Sequence, residues 1–503
     1  GIWMGWNGDI IDSDKSFDND FSTRHQHGDS NITYMTTALS TEQYQQFYCG
    51  FANNVLWPLL HEQSHLICQS PSDYQGYQSV NRLFAEQLKQ IIEPNDVIWV
   101  HDYHFLSVAY HCRQLGISNR IGFFLHIPFA PLSGWQYLEQ SAQLINHLAH
   151  YDVVGVQTKQ DKANCLAVFE HYFKNYLKSC LIQTPISLSA SNGTDNNDVS
   201  AFDSLALDKS ECVTLTVNID APSPALHELT INTYPIGVDV TKIQQQVSHL
   251  SSSDSLESPV QTTTCHPQQK HLMSANQQII AVDRIDYSKG LLERFSAYQD
   301  FLTQYPVYQN QLKFLQIACP SRLDLPIYQQ LYNEVKQAVG QVNEKFSSRP
   351  PILDTKTDCF NNKANPNQEN GGLNNWQAVT YSEGVLSHQA LMTAFWQSDV
   401  GWVNSLKDGM NLVAKEFVAA QNPTNPGVLV LSKYAGAAEQ MQAAVIIDSH
   451  DPKSIIEGLR RALTMSLAER QERYRVLLRG LQQEDLSAWQ RHFLTDLYGN
   501  SKQ

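Results

Sequence analysis

Short apolar runs alternating with helix-like segments constrain this chain more than any other feature. The runs at 97–101, 121–126, 153–157, 213–217, 279–282, 313–317, 400–403, 427–431 and 444–447 are each four to six residues long. Runs of this kind read as strands buried on both faces, and helical patterns between them join such strands into parallel sheets. Nine strands are too many for one simple sheet, and 503 residues suit two to four domains.

The alternation pauses at Tyr234-Pro235-Ile236-Gly237 and restarts after a polar stretch. The expectation is an α/β chain of two Rossmann-like domains, residues 1–237 and 238–480, with 481–503 docking the chain end onto a domain. Three segments break the pattern, at 184–203, 249–277 and 356–378. Their Ser, Asn, Gln and Asp content buries little apolar surface, so they read as exposed insertions. Near the end, Asp451-Pro452 supplies an N-cap with proline in the first turn, and Ser466-Leu-Ala-Glu469 reads as a capping box. Leu486, Trp489, Phe493 and Leu497 share one face of a last helix.

Composition bounds the function. A formal net charge of −15 argues against a general nucleic-acid binder, which needs a basic footprint, so any anion site is local. Nine scattered cysteines without a CxxC pair suit reduced cytosolic thiols. No apolar run is long enough to span a bilayer, and the opening GIWMGWNGDIID lacks the basic and apolar regions of a secretory signal. A cytoplasmic location with no membrane partner is expected.

Three motifs carry chemistry. AVDRIDYSKG, residues 281–290, places Arg284 and Lys289 just beyond a buried strand, where ligands bind in open α/β sheets, and two cations there suit a pyrophosphate. The run from Lys407 to Glu416 follows the strand at 400–403, turns at Asp408-Gly409 and enters a helical pattern. Backbone amides at 412–414 would face phosphate, Glu416 would accept ribose hydroxyls, and Asp408 would hold sugar hydroxyls. Taken alone, that run fits an ordinary helix after an Asp-Gly turn slightly better than it fits a site. The third motif is WVHDYH with FLHIPF, which sets Asp102 and His126 at strand ends as sugar-hydroxyl ligands. His101 and His104 lack the Cys or carboxylate array that would complete a zinc site, so no metal is expected.

With these motifs in place, the chain resembles the retaining glycosyltransferases of the trehalose-6-phosphate synthase type. The resemblance runs through GIWMGWNG, NNVLWPLLH, WVHDYHFL, NRIGFFLHIPF, TYPIGVD, VDRIDYSKGL, QIACPSR, SDVGWVNSLKDGMNLVAKE, PGVLVLSKYAGAAEQ and MSLAER. It implies a GT-B fold, two Rossmann-like domains facing a cleft with a C-terminal helix returning to the first. It implies transfer of glucose from UDP-glucose to glucose 6-phosphate with retention, giving trehalose 6-phosphate and UDP without a metal or other cofactor.

By the same resemblance, Arg284 and Lys289 neutralise the donor pyrophosphate and Asp408 holds the donor glucose. Asn411, Leu412, Val413, Ala414 and Lys415 form the phosphate-facing start of the helix, Glu416 binds ribose, and the backbone of Leu386 contacts the base. Tyr48, Trp57, Asp102 and Arg322 align with the acceptor side, and His126 with a sugar contact at the reaction centre.

Two departures stand out. Asn404-Ser405-Leu406-Lys407 replaces a more usual Thr-Pro-Leu-Arg. The family's opening strand, with an SNR-type arginine and a Gly-Gly loop, is expected ahead of Gly1, which leaves the acceptor half and the activity of these residues alone the more open. Two other readings fit the same motifs: a glucosylglycerol-phosphate synthase using ADP-glucose and glycerol 3-phosphate, and a synthase-like regulatory subunit without turnover. HDYH and DYSKG favour the trehalose branch over the first, and the retained Arg284, Lys289, Asp408 and Glu416 oppose the second. Nucleotide preference and oligomeric state, monomer or homo-oligomer, are not set by the sequence.

Overall fold

Each of the nine apolar runs forms a strand, with ends that shift by no more than two residues. The computed structural model describes residues 1–11, 23–26, 32–174, 177–183, 212–219, 225–253, 277–347 and 376–499. Of the polar segments, 184–203 lies outside the described residues, as do 254–276 of the second and 356–375 of the third. The chain divides into two units, Gly1–Pro235 with Gln490–Gln503, and Ile236–Trp489.

The second unit holds a six-stranded, fully parallel sheet. Its order is Thr380–Ser382, Lys313–Cys319, Gln278–Arg284, Val400–Val403, Val428–Ser432, Val445–Ile447. Counted along the unit, this is 3-2-1-4-5-6, so the order reverses between Gln278–Arg284 and Val400–Val403. All four residues of Val400–Val403 and all five of Val428–Ser432 are buried. Both strands therefore read as continuous apolar runs, the mark of a sheet covered by helices on its two faces. Trp402, Phe314 and Tyr298 anchor the core beneath them.

The first unit holds a six-stranded sheet of mixed direction. Ile98–His101, Ile121–Phe124, Val153–Val156 and Ala225–Thr233 run parallel, and Cys212–Ile219 and Leu177–Gln183 extend the sheet antiparallel. Gly155 lies where an added Cβ would meet Phe493 and Tyr234 at 2.8 Å, so Phe493 of the last helix, Leu486–Tyr498, seats on bare backbone. Its ring also stacks on Trp99 at 4.5 Å.

A separate small sheet pairs Ile2–Ile11 parallel with Thr33–Ser40, and Thr23–Gln26 antiparallel. The sequence pattern marks no strand here because Ile2–Ile11 is mostly exposed and offers no apolar run. The strands Leu177–Gln183, Ala225–Thr233 and Thr380–Ser382 also escape the pattern.

After Thr33–Ser40 comes a 13-residue π-helix, Tyr44–Leu56. The Trp57 N–H that closes it reaches back five residues to Ala52 O. Wide helical turns of this kind are rare and concentrate at functional sites. At the chain's other end, the expected caps form in part. Asp451 accepts from Lys453 N at 3.0 Å and Ser466 from Glu469 N at 3.3 Å. The reciprocal half of the capping box is absent because the Glu469 carboxylate turns to Arg473 at 2.9 Å.

Candidate active site

In the second unit the loops leaving Gln278–Arg284 and Val400–Val403 are laced together at the point where the strand order reverses. Asp286 caps the short turn Tyr287–Lys289 through Ser288 N at 2.9 Å. Gly290 then takes φ +61°, and an added Cβ would lie 2.4 Å from Asn404 O. That close approach lets the fully buried Asn404 donate Nδ2 to Gly290 O at 2.9 Å and Leu406 N to Ser288 O at 2.8 Å. Ser432 and Ser449 hydroxyls hold Ser405 O from below at 2.6 and 2.8 Å. A crevice at this position is where open α/β sheets bind ligands.

Asp408 is the hub of the crevice. Its Oδ2 receives Lys289 Nζ at 2.6 Å, Ser405 Oγ at 3.0 Å and Asn411 Nδ2 at 3.0 Å. Lys289 and Asp408 are both largely buried, at 11 and 12 % exposure of their side chains. Arg284, at the strand's carboxyl end, is exposed. The motif cations are thus placed differently, one locked against a carboxylate and one turned toward solvent.

Asn411 sits at φ +75° and caps the helix Leu412–Ala419, its Oδ1 accepting Ala414 N at 3.1 Å. Of the three amides expected to face phosphate, Ala414's is therefore spent on the cap. Leu412 and Val413, the first helical residues, have amides without an intrahelical acceptor. The Lys415 side chain is fully buried, and Nζ donates to Ile236 O and to Gln440 Oε1, each at 2.7 Å. Helix periodicity turns it inward, and burial lowers its pKa to about 8.

Glu416, one turn after Leu412, is half-buried, and that burial raises its pKa while the nearby His388 lowers it. His388 Nε2 lies 3.7 Å from Glu416 Oε1, and its Nδ1 is 2.8 Å from Gln246 Oε1. Leu386 is half-buried in the segment just before the helix His388–Trp396. Arg322, at φ +52°, directs Nη1 to Asp286 Oδ2 at 3.0 Å and to Tyr328 OH at 2.6 Å. It belongs to this unit and not to the one carrying Tyr48, Trp57 and Asp102.

In the first unit, Asp102 takes φ +74° and ψ 165°, a conformation that normally belongs to glycine. Its N–H donates to Phe124 O at 2.8 Å, which ties the bend after Ile98–His101 to the neighbouring strand. His101 Nδ1 and His126 Nε2 are 3.1 Å apart. Burial lowers the pKa of both rings to about 4, so they are neutral at physiological pH, and one N–H is shared between them.

Tyr48, on the π-helix, stacks on His104 with ring centroids 5.8 Å apart and planes 8° from parallel. Trp57 is 3 % exposed and packs on His61 and Tyr103 in the core. The burial of the whole WPLL turn, legible in its composition, is the signal that would have placed it there.

Sequence reading singled out neither Gln246 nor His388, nor the roles of Asp286 and Tyr328 behind Arg322. Gln246 and His388 come from different helices and share no motif, so no spacing points to them. Asp286 lies inside AVDRIDYSKG, yet an acidic residue between two cations carries no signal of which one it serves. Among the described residues, no group of three or more His, Cys, Asp and Glu side chains could hold a metal ion. No helix among them is long and apolar enough to cross a membrane.

Comparison with known proteins places this geometry. The chain is 33 % identical over 497 residues to trehalose-6-phosphate synthase of Sodalis glossinidius (strain morsitans), covering 99 % of this chain and 88 % of that protein. It resembles the crystal structure of an α,α-trehalose-phosphate synthase (UDP-forming) from Burkholderia xenovorans in complex with glucose-6-phosphate. That match has a TM-score of 0.78 at 32 % identity, over 99 % of this chain and 94 % of that one. The E. coli protein bound with UDP-2-fluoro glucose matches with a TM-score of 0.76 at 32 % identity, over 99 % and 93 %. The fold is accordingly α/β of the GT-B type, with two Rossmann-like units. The pattern of glycosyltransferase family 20 matches residues 1–351 and 360–499, and the chain belongs to that family.

Proposed function

We propose that this chain transfers glucose from UDP-glucose to glucose 6-phosphate with retention, releasing UDP and trehalose 6-phosphate. The observation that carries the reading is the pairing of Lys289 with Asp408 at the switch point of the second unit, in a chain whose relatives are trehalose-6-phosphate synthases. Cleavage of the anomeric bond builds negative charge on the departing diphosphate, and fixed cations aimed at that charge lower the barrier. Lys289 and Arg284 supply them, and the Leu412 and Val413 amides add the helix N-terminus.

In this reading Asp408 accepts from donor-glucose hydroxyls, Glu416 from the ribose, and the Leu386 backbone meets the base. Asn411 serves by fixing the cap. The neutral His101–His126 pair and Asp102 suit uncharged sugar hydroxyls, which neutral rings can bind without desolvating a charge. Tyr48 and Arg322 serve the acceptor. The soluble substrates need no membrane, and we place the enzyme in the cytoplasm, where both sugar phosphates occur.

The test is UDP release by the purified chain with UDP-glucose and glucose 6-phosphate, with the disaccharide phosphate identified by mass spectrometry. Release with glycerol 3-phosphate but not with glucose 6-phosphate would sink the proposal in favour of the glucosylglycerol-phosphate reading. Release with neither, under conditions where UDP binds, would favour the regulatory reading.

A further inference from the structure

Three helices of the second unit converge on Glu416: its own, Leu412–Ala419, then His388–Trp396 and Val240–Ser253, which pack on one another. Ser387 caps the middle helix, accepting Ala390 N at 3.2 Å, and so fixes where His388 begins. Gln246 tethers the ring at Nδ1 with a 2.8 Å bond, leaving Nε2 turned to Glu416 Oε1 at 3.7 Å. That distance is too long for a hydrogen bond and right for a charge contact.

The tether limits the protonation states available. With Gln246 Oε1 accepting from Nδ1, Nε2 faces the carboxylate with a donor only when the ring is protonated. With the carboxamide reversed, Nδ1 accepts and Nε2–H points at the carboxylate. Whenever Nε2 carries a proton, the ring holds a donor toward Oε1 at charge-contact distance. At 19 % exposure of its side chain, Glu416 has little other freedom, whereas His388 at 46 % is open to the solvent that a ligand would displace.

From this arrangement we infer that Gln246 and His388 are positioning residues: they set the Glu416 carboxylate to receive the vicinal ribose hydroxyls of a nucleoside diphosphate. The inference rests on the donor reading of Glu416 given above and extends it to two side chains that contact the ligand only through it. Discrimination between ribose and a sugar lacking those hydroxyls is then set by three helices and not by one residue.

Calorimetric titration of the full chain with UDP and with 2′,3′-dideoxy-UDP tests it. The wild type should bind UDP more tightly than the dideoxy form by roughly tenfold, as lost hydrogen bonds to a charged group imply. His388→Ala should weaken UDP roughly fivefold, the worth of a partly screened ion pair, and leave dideoxy-UDP within about twofold. His388→Gln, which keeps a donor facing the carboxylate, should recover most of the loss. Gln246→Ala should weaken UDP by about twofold with the same ligand pattern, and it carries the test if His388→Ala fails to fold. Equal weakening of both ligands, or no change in either, overturns the inference while leaving the donor reading intact. A wild type that binds both ligands alike overturns the donor reading of Glu416 and the inference with it.

Discussion

In the second unit the polar side chains beyond the strand ends are charged and paired: Lys289 with Asp408, Arg322 with Asp286, and beneath them Arg294 with Asp283. In the first unit the positions around Asp102 carry rings, His101 against His126, Tyr48 against His104 and, further back, His147 stacked 3.9 Å from Tyr110. His101, His126 and His147 are neutral because their pKa values are lowered to about 4 or below. The contrast matches two ligand chemistries. A diphosphate requires cations already fixed in place, and a carboxylate holds each of these three. Sugar hydroxyls are met by neutral donors and acceptors, which survive burial without a counter-charge. The two strategies also fail differently, the first when a partner is deleted and the second when the medium turns acid.

Deleting a partner in the second unit should produce the largest effect. Arg294 is fully buried and bonds Asp283, Gln316 Oε1 at 2.8 Å and the face of Trp402, whose ring centre is 5.5 Å away. Arg294→Met strands the buried Asp283 carboxylate and should lower the free energy of urea unfolding by about 3–5 kcal/mol. Adding Asp283→Leu should recover most of that loss. A single variant that unfolds within about 1 kcal/mol of the wild type would break the claim that this unit depends on its ion pairs.

Lys289→Met acts on turnover. Removing one of the cations aimed at developing phosphate charge should lower kcat for UDP release by roughly 10²–10³-fold. Thermal unfolding should move little, because Ser405 and Asn411 still satisfy Asp408. Equal losses of melting temperature and activity would make the Lys289–Asp408 pair a brace and not a catalytic element.

The contrast between the units also decided how much could be read from sequence. Strands buried on both faces, such as Ile121–Phe124, Val153–Val156, Val400–Val403 and Val428–Ser432, were legible because burial makes them continuous apolar runs. Cys212–Ile219, which alternates buried with half-buried residues, gave a weaker signal, and the mostly exposed Ile2–Ile11 was not marked. Within AVDRIDYSKG and the 407–416 run, residue type and spacing marked two loops that meet where the strand order reverses. They could not reveal that Lys415 turns inward or that Ala414's amide is consumed by Asn411, since both depend on helix phase and cap geometry. Nor could the motif around Trp57 reveal its depth of burial, since a tryptophan reads the same at the surface and in the core. The Gln246–His388–Glu416 convergence is tertiary, joining positions 142 residues apart.

Acid should separate the units. Burial lowers the pKa of His147 to about 3 and those of His111 and His126 to about 4. These folded values lie below the unfolded 6.5, so the unfolded state binds the extra protons. Stability from these rings is complete above pH 6.5 and is lost as pH falls toward 4. Glu416 has the opposite sign, since a raised carboxyl favours the folded state as pH falls. Asp73, also raised by burial, offsets a little of the loss in the first unit. His147 is 2 % exposed, and between pH 6.5 and about pH 5 it alone should remove about 2 kcal/mol. His147→Gln should flatten the pH dependence of the urea midpoint over that interval. Exchange of amide hydrogens in Val108–Gln114 and Ser141–Leu148 should accelerate in acid, after correction for intrinsic rates, before it does in Leu291–Gln304. Simultaneous loss in both units would remove the distinction.

Asp102→Gly is the smallest effect in energy and the sharpest in meaning. A non-glycine residue at φ +74° and ψ 165° stores about 1–3 kcal/mol of backbone strain. Glycine relieves it, and the greater freedom of glycine in the unfolded chain returns about 0.5–1 kcal/mol of the gain. The variant should therefore be more stable than the wild type by about 1 kcal/mol, since the N–H bond to Phe124 O is a backbone contact and survives. If the carboxylate serves a sugar hydroxyl, the same variant should lose at least roughly tenfold in kcat/KM for glucose 6-phosphate, the worth of a hydrogen bond to a charged group. Asp102→Asn keeps the strain and a hydrogen-bonding oxygen, so its stability should stay near the wild type's while its activity falls less. A glycine variant that is less stable and equally active would mean that Asp102 is held in its strained conformation for the sake of the fold. A gain in stability together with a loss of activity would mean that the first unit maintains an unfavourable local arrangement because the reaction requires it.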